Sequence, residues 1–385
     1  MHDLLIRNAS LCDGLGNPRR SGDLAVEGQR IAAIGQGLGP ARRSIDADGL
    51  TLAPGIIDSH THYDAQITWD PLVNPSPALG VTTAIIGNCG FTIAPCKPAD
   101  RDLVMRNLTH VEGMPLAALR AGINWEFETF PDYLKLLERS GVGVNIAAFV
   151  GHSSVRTWVM GADAPKRAAR PDEVAAMRQI VLEAMRAGAV GFATSTSPSH
   201  HGENGIPMPS RLADATELQT LVGVLGEVGR GTFMLTKGGG TTIPFLESLA
   251  EATGRPVMVA ALLHNGTDPD GVFRDLAEIE AASRRGHQLY GQVSCCPLTM
   301  DFTLESPYPF EGIDAWRPAM EALGPAARQV YADPSFRAAV AAELQRPAAV
   351  RLFNGEWDKL QVVQAAKGAH QAMEGQSIAE LARVS

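Results

Sequence analysis

Two histidines separated by one residue are the first candidates for chemistry in this sequence. His60 and His62 follow an apolar segment in the stretch APGIIDSHTHYDAQ. Alternate side chains of a β-strand point to opposite faces, so a strand here would direct both imidazoles to one side, where they can bind one ion together. An isolated His-x-His also occurs at the polar end of a strand, because so short a motif matches by chance. The rest of the sequence has to decide between these two interpretations.

Further polar side chains follow other apolar segments of the chain. They lie at the carboxyl ends of segments that we interpret as strands: Cys89, His152, Lys237 and His264. In a parallel barrel these ends lie on one face, where barrel enzymes place their catalytic groups. Thiolate and imidazole are both good zinc ligands, and catalytic zinc sites keep one position open for water. The pattern therefore predicts a zinc-type site on that face.

Several of these residues also have a purely structural interpretation. Cys89, in IIGNCGF, can be a small buried apolar residue, and His264, in VAALLHNG, can be a strand-end histidine bonded to a loop. The remaining histidines that we considered lie in loops or helix flanks: His110, His200, His201, His287 and His370. We expect these to be solvated or structural.

Alternating strand and helix patterns must position the candidate groups. After Gly55, seven segments have strand patterns: IIDSHTH, GVTTAIIGNCG, GVGVNIAAFVGH, GAVGFATSTS, GTFMLTKGG, RPVMVAALLHN and HQLYGQVSCCP. Helical periodicity marks RPDEVAAMRQIVLEAMRAG and DPDGVFRDLAEIEAASRRG. Because repeated strand and helix units form parallel sheets, we predict an α/β fold, a (β/α)8 TIM-type barrel whose eighth strand we do not find.

The first part of the chain has a different pattern. Short strand-like segments alternate with glycine turns in LLIRNASLCDG, GDLAVEGQRIAAIG and RSIDADGLTLAPG. We therefore predict two domains, a small β module over residues 1–55 and the barrel over residues 56–385.

Composition excludes several classes of protein. Of the 385 residues, 45% are hydrophobic and 19% are charged, so the chain can bury a large core and is not disordered. A formal net charge of -9, with scattered Lys and Arg, argues against a nucleic-acid partner. No segment reaches the ~20 apolar residues of a membrane helix. Because we find no secretory signal and only five cysteines, we expect a cytoplasmic protein without a disulfide framework.

The combination of motifs resembles one enzyme family. APGIIDSHTHYDAQ, GVTTAIIGNCGFTIAP and FVGHSSVR are similar to segments of the N-acyl-D-amino-acid deacylase (D-aminoacylase) branch of the amidohydrolase superfamily, and the GNCG cysteine marks this branch. The resemblance implies a metal-dependent barrel flanked by a small β-sandwich, and hydrolysis of an N-acyl amide. It places His152 and Arg156 in a catalytic motif beside the pocket. By position it also implies four metal ligands: His60, His62, Cys89 and His264.

Two features depart from the pattern of this family. At the end of the fifth strand, where the family has a ligand histidine, this sequence has Lys237 in FMLTKGGG. A divalent cation repels an ammonium, so Lys237 must lose its proton, turn away or become a carboxylated metal ligand, as lysines do in the related hydantoinases.

The family also has an aspartate on an eighth strand, as ligand and general base. We find no counterpart of it, and Asp64 or Asp301 would have to replace it.

These observations together predict a zinc-type amidohydrolase. One or two Zn²⁺ ions, or another divalent metal, would polarise the amide carbonyl and supply hydroxide at neutral pH. The partner would be a small N-acyl-(D-)amino acid or related amide, with no nucleic acid and no membrane, and a homo-oligomer stays open. Two alternatives also stay open, a catalytically silent metal-binding fragment or relative, and a hydantoinase-type cyclic-amide hydrolase. Because the eighth strand is not found, we expect a C-terminally truncated chain with weak hydrolysis.

Overall fold

The structure is a computed structural model that describes residues 1–111, 113–202, 206–304, 307–310, 312–322, 324–348 and 351–384. Contacts between residues divide it into two units, Met1–Asp58 with Asn74–Ala84, and Ser59–Val73 with Ile85–Ser385. The domain limits expected from the sequence, 1–55 and 56–385, stay a prediction. Among the described residues, no helix combines the length and the hydropathy needed to cross a membrane.

The N-terminal strands form one mixed sheet, which confirms the predicted β module. They are β1 His2–Leu11, β2 Arg20–Glu27, β3 Arg30–Gly35, β4 Ala41–Asp46 and β5 Thr51–Leu52. The strand order is β3-β2-β1-β4, and β5 pairs with β1. β2 is antiparallel to β1 and β3, whereas β4 and β5 run parallel to β1. Leu5 of β1 lies opposite Ala25 of β2, and both side chains are buried.

A second sheet contains all seven strands that the sequence predicts after Gly55. They are β6 Ile56–Asp58, β7 Val81–Ile86, β8 Asn145–Gly151, β9 Gly191–Ser195, β10 Thr232–Thr236, β11 Val257–Ala260 and β12 Leu289–Gly291. The strands lie in chain order, from β6 at one edge to β12 at the other. The pairs from β8 to β12 and the pair of β6 with β7 are parallel. The predicted α/β barrel-type sheet is thereby confirmed over seven strands of the described ranges.

The central strands show why apolar segments without polar alternation form this sheet. All five residues of β9 are buried, and so are the three central residues of β10. Phe192 of β9 stacks on Phe233 of β10, with ring centroids 6.0 Å apart. A parallel strand is covered on both faces, so a continuous apolar segment suits it better than an alternating one.

Helices connect the strands, and the two predicted from periodicity are confirmed as α5 and α8. The helices of the described residues are α1 Arg101–Val111, α2 Leu116–Gly122, α3 Phe130–Ser140, α4 His152–Met160, α5 Pro171–Ala187, α6 Ala215–Val228, α7 Ile243–Thr253, α8 Gly271–Arg284, α9 Arg317–Glu321, α10 Pro325–Ala332, α11 Pro334–Leu344 and α12 Ile378–Val384. α5 begins with Pro171, whose missing N–H would be unsatisfied in the first turn anyway. The helix is followed by Gly188, whose N–H bonds back to Ala184.

The C-terminal helices enclose an aromatic cluster of their own. Its buried members are Phe310, Ile313, Trp316, Ala319, Val340 and Phe353. The ring of Phe310 lies 4.2 Å from that of Trp316 and 5.1 Å from that of Phe353, measured between centroids. Such rings bury large apolar areas, which ties together the short helices of this region.

The strand predicted from Ile56 to His62 is shorter in the structure, and this part of the prediction is wrong. β6 ends at Asp58, and His60 lies in a bend. Thr61 nevertheless donates both its N–H, at 3.1 Å, and its hydroxyl, at 2.8 Å, to the carbonyl of Ile85 in β7. This double contact fixes the segment that carries the two histidines, although regular strand pairing has ended.

The close approach of the β9 and β10 backbones can be tested by substituting a glycine in β9. A Cβ added to Gly191 would lie 1.9 Å from the carbonyl oxygen of Thr232, so Gly191→Ala must push the strands apart. We expect it to lower the free energy of unfolding by about 1–3 kcal/mol, the usual cost of overpacking. Gly223, exposed in the middle of α6, meets nothing within 4 Å, so Gly223→Ala should raise stability by roughly 0.5–1 kcal/mol. Denaturant unfolding of both variants checks this, and a neutral Gly191→Ala would contradict the close strand approach.

Candidate metal centre

Three side chains with metal-binding atoms meet near the carboxyl ends of the first two strands of the second sheet. They are His60, His62 and Cys89, named here the His-Cys cluster, and their ligand atoms all lie within 4.8 Å of one another. Cys89 Sγ is 3.3 Å from His60 Nε2 and 3.9 Å from His62 Nε2. The two imidazole planes are inclined at 67° with centroids 5.1 Å apart. The structure thus brings together three of the five metal ligands expected from the sequence.

A tight turn after β7 carries Cys89 into the cluster. Cys89 has a φ of 57°, which is rare for a residue other than glycine, and its N–H bonds to Met234 Sδ at 3.2 Å. The flanking glycines leave no room for side chains, because a Cβ on Gly87 would lie 2.5 Å from the carbonyl oxygen of Phe149. A Cβ on Gly90 would lie 2.6 Å from that of Ala193. The two glycines of GNCG are therefore required by this backbone.

Two polar side chains hold the cluster from its other sides. The hydroxyl of Thr236, the last residue of β10, donates to Cys89 Sγ at 3.0 Å. Gln292, the first residue after β12, has its Oε1 3.0 Å from Nδ1 of His60. Neither residue was predicted from the sequence, in which only a position at a strand end marks them.

Aromatic packing surrounds the second histidine of the cluster. The ring of His62 stacks on Phe91 at 6.3 Å between centroids, and Phe91 contacts the ring of His200 at 4.9 Å. Desolvation, together with the neighbouring His60 and His200, holds the pKa of His62 well below its usual value. Desolvation also lowers the pKa of His200 to about 4. Both rings are therefore neutral near pH 7, and a metal requires the neutral form of its histidine ligand.

His200 was expected to be solvated or structural, and in the structure it has the contacts of a structural residue. It packs on Phe91 beside the His-Cys cluster, and its Nδ1 lies 2.6 Å from the hydroxyl of Ser195 at the end of β9. The loop SPSHHG that follows β9 gave a local signal for this position, because such loops border the site in barrel enzymes.

Lys237 and His264 lie outside the His-Cys cluster. Lys237 follows Thr236, but its ammonium donates to Asp275 at 2.7 Å, so the structure pairs it with a carboxylate. His264 lies exposed in the loop after β11. Their roles as ligands stay predictions. The N–H of Gly238 donates to the hydroxyl of Thr196 at 2.9 Å and is thereby already engaged.

His152 and Arg156 belong to a separate, fully buried ion network. Nε2 of His152 lies 2.7 Å from Glu217 Oε1, and Arg156 donates to the same oxygen at 2.6 Å. Nδ1 of His152 lies 2.8 Å from the hydroxyl of Thr194. Arg156 also donates to the carbonyl of Arg167 at 2.8 Å, and burial lowers the pKa of His152. The catalytic role expected for His152 and Arg156 stays a prediction, while the contacts observed here are those of a buried scaffold.

Glu217, the centre of that network, was missed in the sequence. It lies in the first turn of α6, where its N–H bonds to the side chain of Asp214, the residue that caps the helix. The sequence DATE matches a capping box, in which the glutamate side chain would turn back to the cap. In the structure this carboxylate reaches His152 and Arg156 instead.

The two carboxylates considered as substitute bases have different environments. Asp64 is buried, and its Oδ2 accepts the N–H of Gly87, at 2.9 Å, in the turn that carries Cys89. Burial raises the pKa of Asp64 to about 7. Asp301 lies exposed in a loop. Of the two, Asp64 is therefore the one tied to the backbone of the site.

The chain matches a known protein family over most of its length. Residues 43–355 match the amidohydrolase family. D-aminoacylase and N-acyl-D-aspartate deacylase of Alcaligenes xylosoxydans xylosoxydans are 42% and 43% identical over 193 and 195 residues, which is 50% of this chain but 37% and 36% of theirs. The crystal structure of N-acyl-D-glutamate deacylase from Bordetella bronchiseptica, complexed with zinc and a phosphonate inhibitor, is 30% identical with a TM-score of 0.64, over 77% of this chain and 59% of that one. The chain thus spans less than two thirds of the length of each of these relatives.

The buried network leads to a prediction about stability. Glu217→Gln removes the charge that compensates the buried Arg156, so we expect a loss of about 3–5 kcal/mol in the free energy of unfolding. Glu227→Gln, on the same helix, breaks an exposed ion pair with Arg178 and should cost less than about 1 kcal/mol. Denaturant unfolding of both variants measures the difference. Equal losses in the two variants would contradict the structural role of Glu217.

Proposed function

Because this chain belongs to the amidohydrolase family, we propose that it is a metal-dependent hydrolase that removes the acyl group from an N-acyl-D-amino acid. The observation that carries the proposal is the His-Cys cluster, with its thiol in the tight turn after β7. Relatives named D-aminoacylase, N-acyl-D-aspartate deacylase and N-acyl-D-glutamate deacylase support the reaction class, at 34–43% identity.

The donor atoms of the cluster fit zinc. Two imidazole nitrogens and one thiolate are good zinc ligands, and three protein ligands leave a fourth position for water or substrate. A thiolate disfavours the hard cations Mg²⁺ and Ca²⁺. The relative from Bordetella bronchiseptica was crystallised with zinc, which supports the same choice here. When bound, the ion would supply Lewis-acid activation of the amide carbonyl and of the attacking water.

The side chains around the cluster have defined tasks in this proposal. Thr236 donates a hydrogen bond to Cys89 Sγ, which stabilises the thiolate needed for metal binding. Phe91 covers one face of His62 and excludes water from that side. The low pKa of His62, caused by desolvation, keeps this imidazole neutral at physiological pH.

A cavity beside β10 suits the carboxylate of an acyl amino acid. It has a volume of about 280 Å³, and the residues that line it include Ser197, Ser199, Lys237 and Arg351. Lys237 and Arg351 bring two positive charges to its wall, although each is also paired with a carboxylate, Asp275 and Glu343 respectively. We propose that the positive charges of Lys237 and Arg351 favour an anionic substrate. In this proposal Lys237 is an ammonium and not a carboxylated ligand.

Substitution of Cys89 tests the metal site. We expect the purified full chain to bind zinc, and Cys89→Ala to weaken that binding at least about tenfold, as loss of a directly coordinating ligand should exceed the typical loss from a supporting residue. Cys296→Ala, at an exposed thiol, is the matched control and should bind zinc like the wild type. Competition with a chromophoric chelator measures both affinities. Equal affinity of wild type and Cys89→Ala would remove Cys89 from the site.

The reaction is tested with enantiomeric substrates. We expect the zinc-loaded chain to release acetate from N-acetyl-D-amino acids, at the weak rate that the sequence predicts, and to leave the L-enantiomers intact. Enzymatic detection of acetate measures both. Comparison of the rates with N-acetyl derivatives of D-aspartate, D-glutamate and an apolar D-amino acid shows whether substrates with a second carboxylate are preferred. Turnover of cyclic ureides without turnover of any N-acetyl amino acid would replace the proposal by the hydantoinase-type reaction.

A further inference from the structure

Gln292 links two distant parts of the chain beside the His-Cys cluster. Its backbone is fixed by the parallel ladder, since its N–H donates to the carbonyl of Val259 and its carbonyl accepts the N–H of Leu262, both at 2.8 Å. Its side-chain amide reaches His60, with Oε1 3.0 Å from Nδ1, and donates to the carbonyl of Ser59 at 3.3 Å and to the hydroxyl of Ser59 at 3.4 Å. The amide is thus held by three contacts to two residues, His60 and Ser59.

These contacts determine how the amide of Gln292 is oriented. The backbone carbonyl of Ser59 can only accept a hydrogen bond, so the NH₂ group of Gln292 must face it. The carbonyl oxygen of the amide then faces Nδ1 of His60, and it too can only accept. Nδ1 of His60 must therefore carry the hydrogen.

A proton on Nδ1 determines which nitrogen of the imidazole ring has the free lone pair. In a neutral imidazole one nitrogen is a donor and the other has a lone pair. The lone pair of His60 is then on Nε2, which lies 3.3 Å from Cys89 Sγ inside the cluster. In the opposite tautomer, Nε2 would present a hydrogen to the cluster and could not bind a cation there.

We propose that Gln292 is a positioning residue, which holds His60 in the Nδ1–H tautomer and thereby prepares Nε2 as a metal ligand. The proposal rests on the proposed function only in that the cluster binds a metal. Histidine ligands commonly donate their second N–H to a carboxylate or a carbonyl, and loss of such a partner typically costs about 10- to 100-fold in metal affinity or activity. Gln292 supplies a neutral carbonyl for this purpose from the residue directly after β12, the strand at the opposite edge of the sheet from β6.

The tautomer can be measured without any metal. We expect long-range ¹H–¹⁵N spectra of the metal-free, ¹⁵N-histidine-labelled full chain, at about pH 8 where free histidine is neutral, to show His60 as the Nδ1–H form. The His60→Asn spectrum assigns its signals. Gln292→Leu should convert His60 to a mixture of tautomers or to the Nε2–H form. A wild-type His60 in the Nε2–H form would overturn the proposal.

Metal affinity separates a positioning role from a merely structural one. We expect zinc binding, measured by chelator competition, to weaken about 10- to 100-fold in Gln292→Leu. Gln292→Glu keeps an acceptor for Nδ1–H and adds charge, so it should bind zinc at least as tightly as the wild type, although it loses the bond to the carbonyl of Ser59. Gln288→Leu makes the same change at an exposed residue before β12 and should leave the affinity unchanged. Equal weakening in Gln292→Glu and Gln292→Leu would show that only the link to Ser59 matters, and would overturn the proposal.

The outcomes also distinguish this proposal from the proposed function. Zinc binding with the expected tautomer, but no hydrolysis of any N-acetyl-D-amino acid, would remove the function and support the role of Gln292. Hydrolysis by the wild type, with an unchanged zinc affinity in Gln292→Leu, would support the function and remove the role of Gln292. If Gln292→Leu does not fold, the spectra of the wild type and the affinity of Gln292→Glu still decide.

Discussion

The site depends on one constraint, the close approach of the turn after β7 to the neighbouring strands. Gly87 and Gly90 pack directly against backbone carbonyls of Phe149 and Ala193, and Cys89 between them adopts a left-handed backbone conformation. Such a conformation costs roughly 1–3 kcal/mol and persists only where the surroundings determine it. Here the sheet itself provides those surroundings, and the result is a thiol held within 3.3 Å of an imidazole nitrogen. A larger residue at either glycine would move the thiol away from both histidines.

Much of the fold could be predicted from the sequence, because its signals are local. Buried parallel strands appear as continuous apolar segments, and α5 and α8 have apolar residues at helical spacing, so each element could be recognised within its own residues. The His-x-His motif and the GNCG turn are local in the same sense. The end of β6 was misjudged because Thr61 keeps its hydrogen bonds to Ile85 after regular pairing stops, which no residue pattern reveals.

The partners of the candidate groups could not be predicted in the same way. Gln292 is 232 residues away from His60 along the chain, and Glu217 is 65 residues away from His152. The immediate sequence marks Gln292 only as a strand end and Glu217 only as part of a helix cap, and it does not show which distant side chain either residue contacts. His60 and His152 both follow apolar strands, yet one belongs to the His-Cys cluster and the other is enclosed by a carboxylate and a hydroxyl. The difference arises from what the neighbouring strands and helices bring to each imidazole, which is a property of the folded chain.

The aromatic cluster of the C-terminal helices has a consequence for spectroscopy. Two of the five tryptophans of the chain, Trp316 and Trp357, belong to this cluster or pack against it. The phenyl ring in contact with both His62 and His200 is that of Phe91, which contributes little to emission excited at tryptophan wavelengths. The other three tryptophans, Trp69, Trp125 and Trp158, lie outside the C-terminal helices, so intrinsic fluorescence reports on those helices and on other parts of the chain together. An emission change on heating or on dilution into denaturant therefore has to be assigned among the five tryptophans before it is interpreted as an event at Cys89.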